Sequence, residues 1–120
     1  QQFVIDHIAK PRIDSRAFDE SWRKNIIELA GRDNVACKLS GMATEVRVPE
    51  WNADLLESYF QTALEAFGPE RLLFGSDWPV CLLRTGYDRW FNTVKTAIGE
   101  LSASEQSAIL GGNAERIYQL

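Results

Sequence analysis

The sequence predicts an α/β fold built on parallel strands. Three short apolar runs of strand length alternate with longer segments in which apolar residues recur at helical spacing. The repeat is regular, because Phe3 and Ala36 lie 33 positions apart and Ala36 and Phe74 lie 38 positions apart. Strands that alternate with helices of this length pair in parallel through crossover connections. No linker or low-complexity segment interrupts the pattern, which indicates a single domain over residues 1–120.

The first half of the chain holds two predicted strands and two predicted helices. The strands are residues 3–5 and 35–39, and the helix between them is expected to end at Gly31. Its apolar face is Phe18, Trp22, Ile26, Leu29 and Ala30. The next helix is expected to begin after Asn52, which is a favourable N-cap residue, and to stop at Gly68. Its apolar face is Leu56, Tyr59, Phe60, Ala63, Leu64 and Phe67.

The remainder of the chain predicts a third strand, residues 72–74, followed by two helices and a last turn. The first of these helices carries a stripe of Tyr87, Trp90, Phe91, Val94, Ala97 and Ile98. Ser102 and Glu105 have the spacing of a capping box and start the next helix, which is expected to end at Gly111. Asn113 is expected to cap the last turn. Three parallel strands leave two architectures open, a small open α/β sheet or the last part of an eight-stranded barrel.

Composition excludes several classes of protein. The chain has 45% hydrophobic residues and a net charge of −4, and its 13 basic residues form no stripe that could follow a phosphate backbone. No apolar run has the length of a membrane span, and the first residues do not have the pattern of a signal peptide. Cys37 and Cys81 lack zinc-finger spacing and are expected to be reduced, packed thiols of a cytoplasmic protein.

Polar residues follow each predicted strand at the point where it ends. They are residues 6–7, 40–41 and 76–77. The connections after these residues are long, whereas the turns that lead into the second and third strands are short. In parallel α/β folds the ligand site lies at the carboxyl ends of the strands, where the long loops meet. The sequence therefore predicts a shared site at this edge of the sheet.

His7 and Asp77 are the candidate catalytic residues at these strand ends. His7 is the only histidine, and an imidazole there can bind a metal, hydrogen-bond a substrate oxygen or transfer a proton. The alternative for His7 is a neutral core histidine bonded to a backbone group. Asp77 lies between Phe74 and Trp78, which should partly desolvate its carboxylate and favour action as a base on water. The alternative for Asp77 is a turn or helix-capping aspartate.

Five loop residues are candidate substrate contacts. Lys10, Arg47 and Arg84 could clamp an anionic or hydroxyl-rich ligand, and each could equally be a solvated charge. Trp51 and Trp78 are expected at the rim of the site or in packing contacts.

Four segments together resemble one known family. They are VIDHIAKP (4–11), CKLSGM (37–42), ERLLFGSDWPV (70–80) and NAERIYQL (113–120), which occur in order across nearly the whole chain. This combination is similar to the C-terminal part of the amidohydrolase-related, TIM-barrel metal-dependent hydrolases, and in particular to their sugar lactonase group.

The resemblance implies a fold, a reaction and a ligand. The three strands would be strands six, seven and eight of a (β/α)8 barrel, with His7 at the end of strand six. Asp77 would take a proton from the attacking water and return it to the leaving oxygen of a sugar lactone. His7 and Asp77 could also hold one divalent metal such as zinc, and members of the group differ in whether a metal is needed.

Several expectations depend on residues outside these 120. The family's strand-one His-x-His pair is absent from the chain, so the N-terminal part of the barrel is an expected partner and the isolated chain is expected to be inactive. Two alternatives to a lactonase remain: a related decarboxylase acting on an aromatic carboxylate, and a non-catalytic α/β module.

Overall fold

A parallel three-stranded sheet forms the centre of the computed structural model, which describes residues 1–120. Strands β1 (Phe3–Ile5), β2 (Val35–Leu39) and β3 (Leu72–Phe74) lie side by side in that order. Their register places Phe3 opposite Val35 and Leu39 opposite Phe74, and both pairs of strands are parallel. The predicted strands and their parallel pairing are therefore confirmed.

Helices connect the strands and continue beyond the last one. They are α1 (Glu20–Ala30), α2 (Met42–Glu45), α3 (Ala53–Phe67), α4 (Tyr87–Ala97), α5 (Ala103–Ser107) and α6 (Asn113–Tyr118). The side chain of Asn52 accepts a hydrogen bond from the Leu55 backbone N–H, and Ser102 and Glu105 form a complete capping box. Both predicted helix starts are therefore confirmed. None of the helices combines the length and the apolar character needed to cross a membrane.

The hydrophobic core lies between one face of the sheet and the long helices. Alternate residues of β2 point to opposite faces, so Cys37 and Leu39 join the core while Lys38 lies on the other face. Trp90 contributes from α4, with its ring stacked 5.9 Å from that of Phe60 on α3. The opposite face of the sheet carries Lys38 beside the buried Leu73 of β3.

Both cysteines are free and buried, as the sequence predicts. Burial, with a smaller contribution from the negative charge of Asp6, raises the pKa of the Cys37 thiol to about 12. The thiolate is the reactive form of cysteine, so Cys37 is chemically inert near neutral pH.

The end of the chain differs from the prediction. Asn113 does not cap a separate turn, because the helical path runs from α5 through a π-helical segment (Ala108–Gly112) directly into α6. Asn113 has helical backbone angles, and its buried side chain donates hydrogen bonds to the carbonyls of Pro69 (2.7 Å) and Leu72 (2.8 Å). The asparagine therefore satisfies backbone acceptors at the start of β3 instead of a helix terminus.

Two residues assigned to apolar helix faces lie largely outside the core. Leu29 is 36% exposed, because it lies at the edge of the α1 stripe whose centre is Trp22, Ile26 and Ala30. Tyr87 is 45% exposed in the first turn of α4, where its ring stacks on Phe91.

Candidate active site

His7 follows β1 in a left-handed turn of the backbone. Residues 7–10 have φ angles of 49°, 50°, 58° and 50°, a region that costs most L-residues about 1–2 kcal/mol each. Contacts with the core fix this turn, because Ile8 is fully buried and its carbonyl accepts a 2.7 Å hydrogen bond from the Trp22 indole N–H. Such strain persists only where surrounding contacts fix it, and it is commonly found at functional sites.

The His7 ring contacts side chains from all three strand ends. Its Nδ1 lies 2.9 Å from Ser40 Oγ, which follows β2. Its Nε2 lies 3.5 Å from Asp77 Oδ1, beyond the end of β3, and 3.3 Å from Oδ2 of the adjacent Asp6. A polar residue from the end of each of the three strands is thus present in one cluster around the His7 imidazole.

Two glycines make room for this cluster. A Cβ atom on Gly41, whose φ is 66°, would lie 2.9 Å from the Cβ, Cγ and Nδ1 atoms of His7. A Cβ atom on Gly75 would lie 2.8 Å from the Cβ of Ser40. No larger residue fits at either position without displacing the histidine or the serine, so the two glycines let the backbones approach this closely.

Asp77 combines a strained backbone with a carboxylate of low exposure. Its φ is 56° and its side chain is 13% exposed. The only basic group within 4.0 Å of its carboxylate is His7 Nε2, at 3.5 Å. The next residue, Trp78, projects into solvent and is 64% exposed. A carboxylate placed this way has an oxygen available to accept a proton from water.

Lys38 extends the cluster, and the sequence analysis missed it. It occupies an apolar strand, yet its Nζ lies 3.1 Å from Asp6 Oδ1 on the face of the sheet away from the core. Partial burial opposes ionisation of Asp6, but the Lys38 hydrogen bond and the His7 and Lys38 charges outweigh it and lower its pKa. The sequence does contain a signal for this contact, because a lysine inside an otherwise apolar strand needs a partner for its charge.

The loops after β1 and β2 are joined beside this cluster. Ile13 and Val46 are buried and form a parallel bridge. Lys10 and Arg47, two predicted substrate contacts, both face Glu45, at 4.0 Å and 3.9 Å. Both side chains are more than half exposed, so each remains free to turn towards a ligand.

Trp51 and Arg84 lie within the loop structure and not at its rim. Trp51 is 4% exposed, donates its indole N–H to the Arg84 carbonyl (2.9 Å), and packs under the Arg89 guanidinium at 4.0 Å. Arg84 itself donates to the Val48 carbonyl. In this chain the two side chains tie two loops together, which is the packing role expected as one alternative for Trp51, and a substrate contact by either side chain stays a prediction.

The residues of this chain do not form a complete zinc site. A zinc ion takes about four ligands, at least three of them from the protein. No group of three or more histidine, cysteine or acidic side chains is arranged to hold a metal ion, and both His7 nitrogens already face protein partners. We therefore derive no chemical step through a metal.

Comparison with known sequences identifies one family, and the relatives described below agree with one another in their activity. The amidohydrolase family profile matches residues 2–120. An L-fucono-1,5-lactonase from Burkholderia multivorans is 43% identical over 98% of the chain, and another from Burkholderia ambifaria is 37% identical over 99%. The chain spans only 43% and 42% of the lengths of these two relatives.

A solved structure has the same arrangement of elements. An amidohydrolase from Burkholderia multivorans, crystallised with bound zinc, superposes with a TM-score of 0.92 at 43% identity. The superposition covers all of this chain and 44% of that one. The sheet and helices described above are therefore similar to a contiguous portion of a larger enzyme.

Proposed function

This chain belongs to the amidohydrolase family, and we propose that the protein containing it is a hydrolase that opens a sugar lactone. The observation that carries the proposal is the Asp77 carboxylate, 3.5 Å from His7 at the edge where three strand ends meet. The lactonase relatives at 43% and 37% identity support a lactone as the substrate class.

The proposed reaction is general-base hydrolysis by Asp77. Its carboxylate accepts a proton from water while the water oxygen attacks the lactone carbonyl carbon, and the carbonyl π electrons move onto oxygen. The tetrahedral intermediate then collapses, the bond from the carbonyl carbon to the ring oxygen breaks, and Asp77 returns the proton to that oxygen. The product is an open-chain hydroxy acid, and Asp77 is regenerated as a carboxylate.

The exposed loop residues are the proposed substrate contacts. Lys10 and Arg47 lie on the loops that follow β1 and β2, are more than half exposed, and can donate hydrogen bonds to hydroxyl groups or to the developing oxyanion. Trp78 offers an exposed aromatic surface directly after the base. Trp51 and Arg84 support these loops from within.

We further propose that β1, β2 and β3 are the sixth, seventh and eighth strands of a (β/α)8 barrel. The parallel order, the long loops at the carboxyl ends, and a face of the sheet that carries Lys38 and Ser40 in place of a helix-packed core support this assignment. The remaining strands would complete the site and would supply the ligands of any zinc ion bound there. The 120 residues alone are then expected to have no turnover.

A panel of aldonolactones tests the function. Hydrolysis releases a proton, so a pH indicator follows it with the whole protein and with the isolated chain in parallel. We expect the whole protein to hydrolyse at least one lactone of the panel and the isolated chain to hydrolyse none. Rapid turnover by the chain alone would overturn the need for the rest of the barrel, and an inactive, folded whole protein would overturn the lactonase assignment.

The decarboxylase alternative makes a different prediction. It requires an aromatic carboxylate as substrate and carbon dioxide as a product, neither of which a lactone assay registers. Release of carbon dioxide from dihydroxybenzoates by the whole protein would favour that alternative over lactone hydrolysis.

A further inference from the structure

We propose that Ser40 is a positioning residue that fixes the proton of neutral His7 on Nε2, so that the imidazole presents its N–H side to the carboxylates of Asp6 and Asp77. The effect of Ser40 on turnover rests on the proposed lactonase function. The position of the proton does not, because it follows from contacts within this chain.

The partners of the two ring nitrogens determine the tautomer. Nε2 faces two carboxylate oxygens, Asp6 Oδ2 at 3.3 Å and Asp77 Oδ1 at 3.5 Å. An ionised carboxylate can only accept hydrogen bonds, so a lone pair on Nε2 would face two negative charges. Nδ1 faces the Ser40 hydroxyl at 2.9 Å, and a hydroxyl can donate. With the proton on Nε2, the N–H rather than a lone pair faces the two carboxylates, and Nδ1 accepts the hydrogen bond from Ser40.

Ser40 is held in the orientation that this role needs. It is 1% exposed, and Gly75 packs so closely that a Cβ there would lie 2.8 Å from the Ser40 Cβ. A hydroxyl with this burial, bonded to the ring, is not placed to attack a carbonyl carbon, so we assign it no nucleophilic role. It acts on the reaction only through His7.

On the Nε2 side of the ring, Asp6 is more exposed than Ser40 and is held by an ion pair. Lys38 Nζ lies 3.1 Å from Asp6 Oδ1 and 6.0 Å from the centre of the Tyr118 ring. This contact keeps the Asp6 carboxylate in place while its other oxygen faces Nε2. The two sides together direct the N–H of His7 between Asp6 and Asp77.

The consequence for the site is a division of roles between His7 and Asp77. A ring that donates from Nε2 orients the Asp77 carboxylate and stabilises its charge, which leaves Asp77 as the base. The same ring has no free lone pair, so it does not act as a second base or as a metal ligand in this arrangement.

Nitrogen NMR of the histidine ring tests the inference directly. The chain has one histidine, and in the whole protein labelled with ¹⁵N-histidine the His7 signals are those lost in His7→Gln. At mildly alkaline pH, we expect Nε2 to show the pyrrole-type signal and Nδ1 the pyridine-type signal of a hydrogen-bonded acceptor. A proton found on Nδ1, in either the other tautomer or a doubly protonated ring, would overturn the proposal, and this measurement needs no variant.

Ser40→Ala separates positioning from general structural support. We expect its Nδ1 signal to move to that of an acceptor without a hydrogen bond, whereas Ser58→Ala on the exposed face of α3 leaves the signal unchanged. In the whole protein, kcat should fall about tenfold and KM should change less than about twofold, as for the loss of one oriented hydrogen bond. An unmoved Nδ1 signal or an unchanged kcat in Ser40→Ala would contradict the positioning role. If the wild-type protein hydrolyses no lactone while the ring carries its proton on Nε2, the proposed function fails and the tautomer assignment stands.

Discussion

Replacing Gly41 with alanine perturbs the contact that brings β2 closest to His7. The new Cβ would lie 2.9 Å from three atoms of the His7 side chain, well inside van der Waals contact, so the ring must move by several tenths of an ångström. The residue would also keep a φ of 66°, which costs an L-residue about 1–2 kcal/mol. Overpacking adds about 1–3 kcal/mol, so we expect a total loss of about 2–5 kcal/mol in the free energy of unfolding.

Urea denaturation measures that loss, and the His7 ring signals in NMR report the displacement. Gly68→Ala is the control for backbone strain without a contact, because Gly68 also has a positive φ of 70° but has open space where its Cβ would be, and its ψ of 169° makes alanine at least as strained there as at Gly41. We expect Gly68→Ala to lose stability through backbone strain and to leave the His7 signals in place. Gly41→Ala should change both.

The reasoning about this contact would be refuted by a Gly41→Ala protein whose His7 signals match the wild type. It would also be refuted if both glycine variants moved the His7 signals equally, because backbone strain and not the contact would then be the cause.

Two further predictions concern the second half of the chain. Asn113→Ala should lower the free energy of unfolding by about 2 kcal/mol, because it leaves the carbonyls of Pro69 and Leu72 without their donor. Urea denaturation tests this with Asn92→Ala, at an exposed position, as the control, and equal losses of stability in the two variants would contradict it. Hydrogen bonds from the Ser102 backbone N–H and side chain lower the pKa of Glu105. The Glu105 carboxylate therefore stabilises the fold at pH values above the ordinary glutamate pKa of about 4.3, and this stabilisation is lost as the pH falls through the lowered pKa. The stability difference between wild type and Glu105→Gln should therefore shrink in acid, and a difference that grows as the pH falls would reverse the sign of this argument.

The strands and helix starts were predictable because they depend on local signals. Apolar runs of strand length, and caps such as Asn52 and Ser102, are readable within a few residues of sequence, and the structure confirms them. The hydrogen bonds of the Asn113 side chain could not be predicted in this way, because its two partners lie more than 40 positions away along the chain. Its side-chain chemistry suits a cap and a buried donor equally well.

The candidate site was predictable at the level of strand ends but not of contacts. Parallel pairing brings the residues after each strand to one edge, which is why His7 and Asp77 were found from sequence. The left-handed turn that orients His7 contains no glycine that would have indicated it in the sequence. The pairing of Lys38 with Asp6 depends on which face of β2 lies away from the main core. The burial of Trp51 likewise depends on how two loops pack, which no local pattern encodes.

Asp77→Asn in the whole protein tests the central claim most directly. Asparagine keeps the size and the hydrogen-bonding shape of the side chain but cannot accept a proton from water, so kcat for lactone hydrolysis should fall by about 10²- to 10⁴-fold. The exposed Asp33→Asn variant is the control, and unfolding curves of both variants should match the wild type. Hydrolysis within about twofold of wild type by a folded Asp77→Asn protein would contradict the account and remove Asp77 from its role as the base.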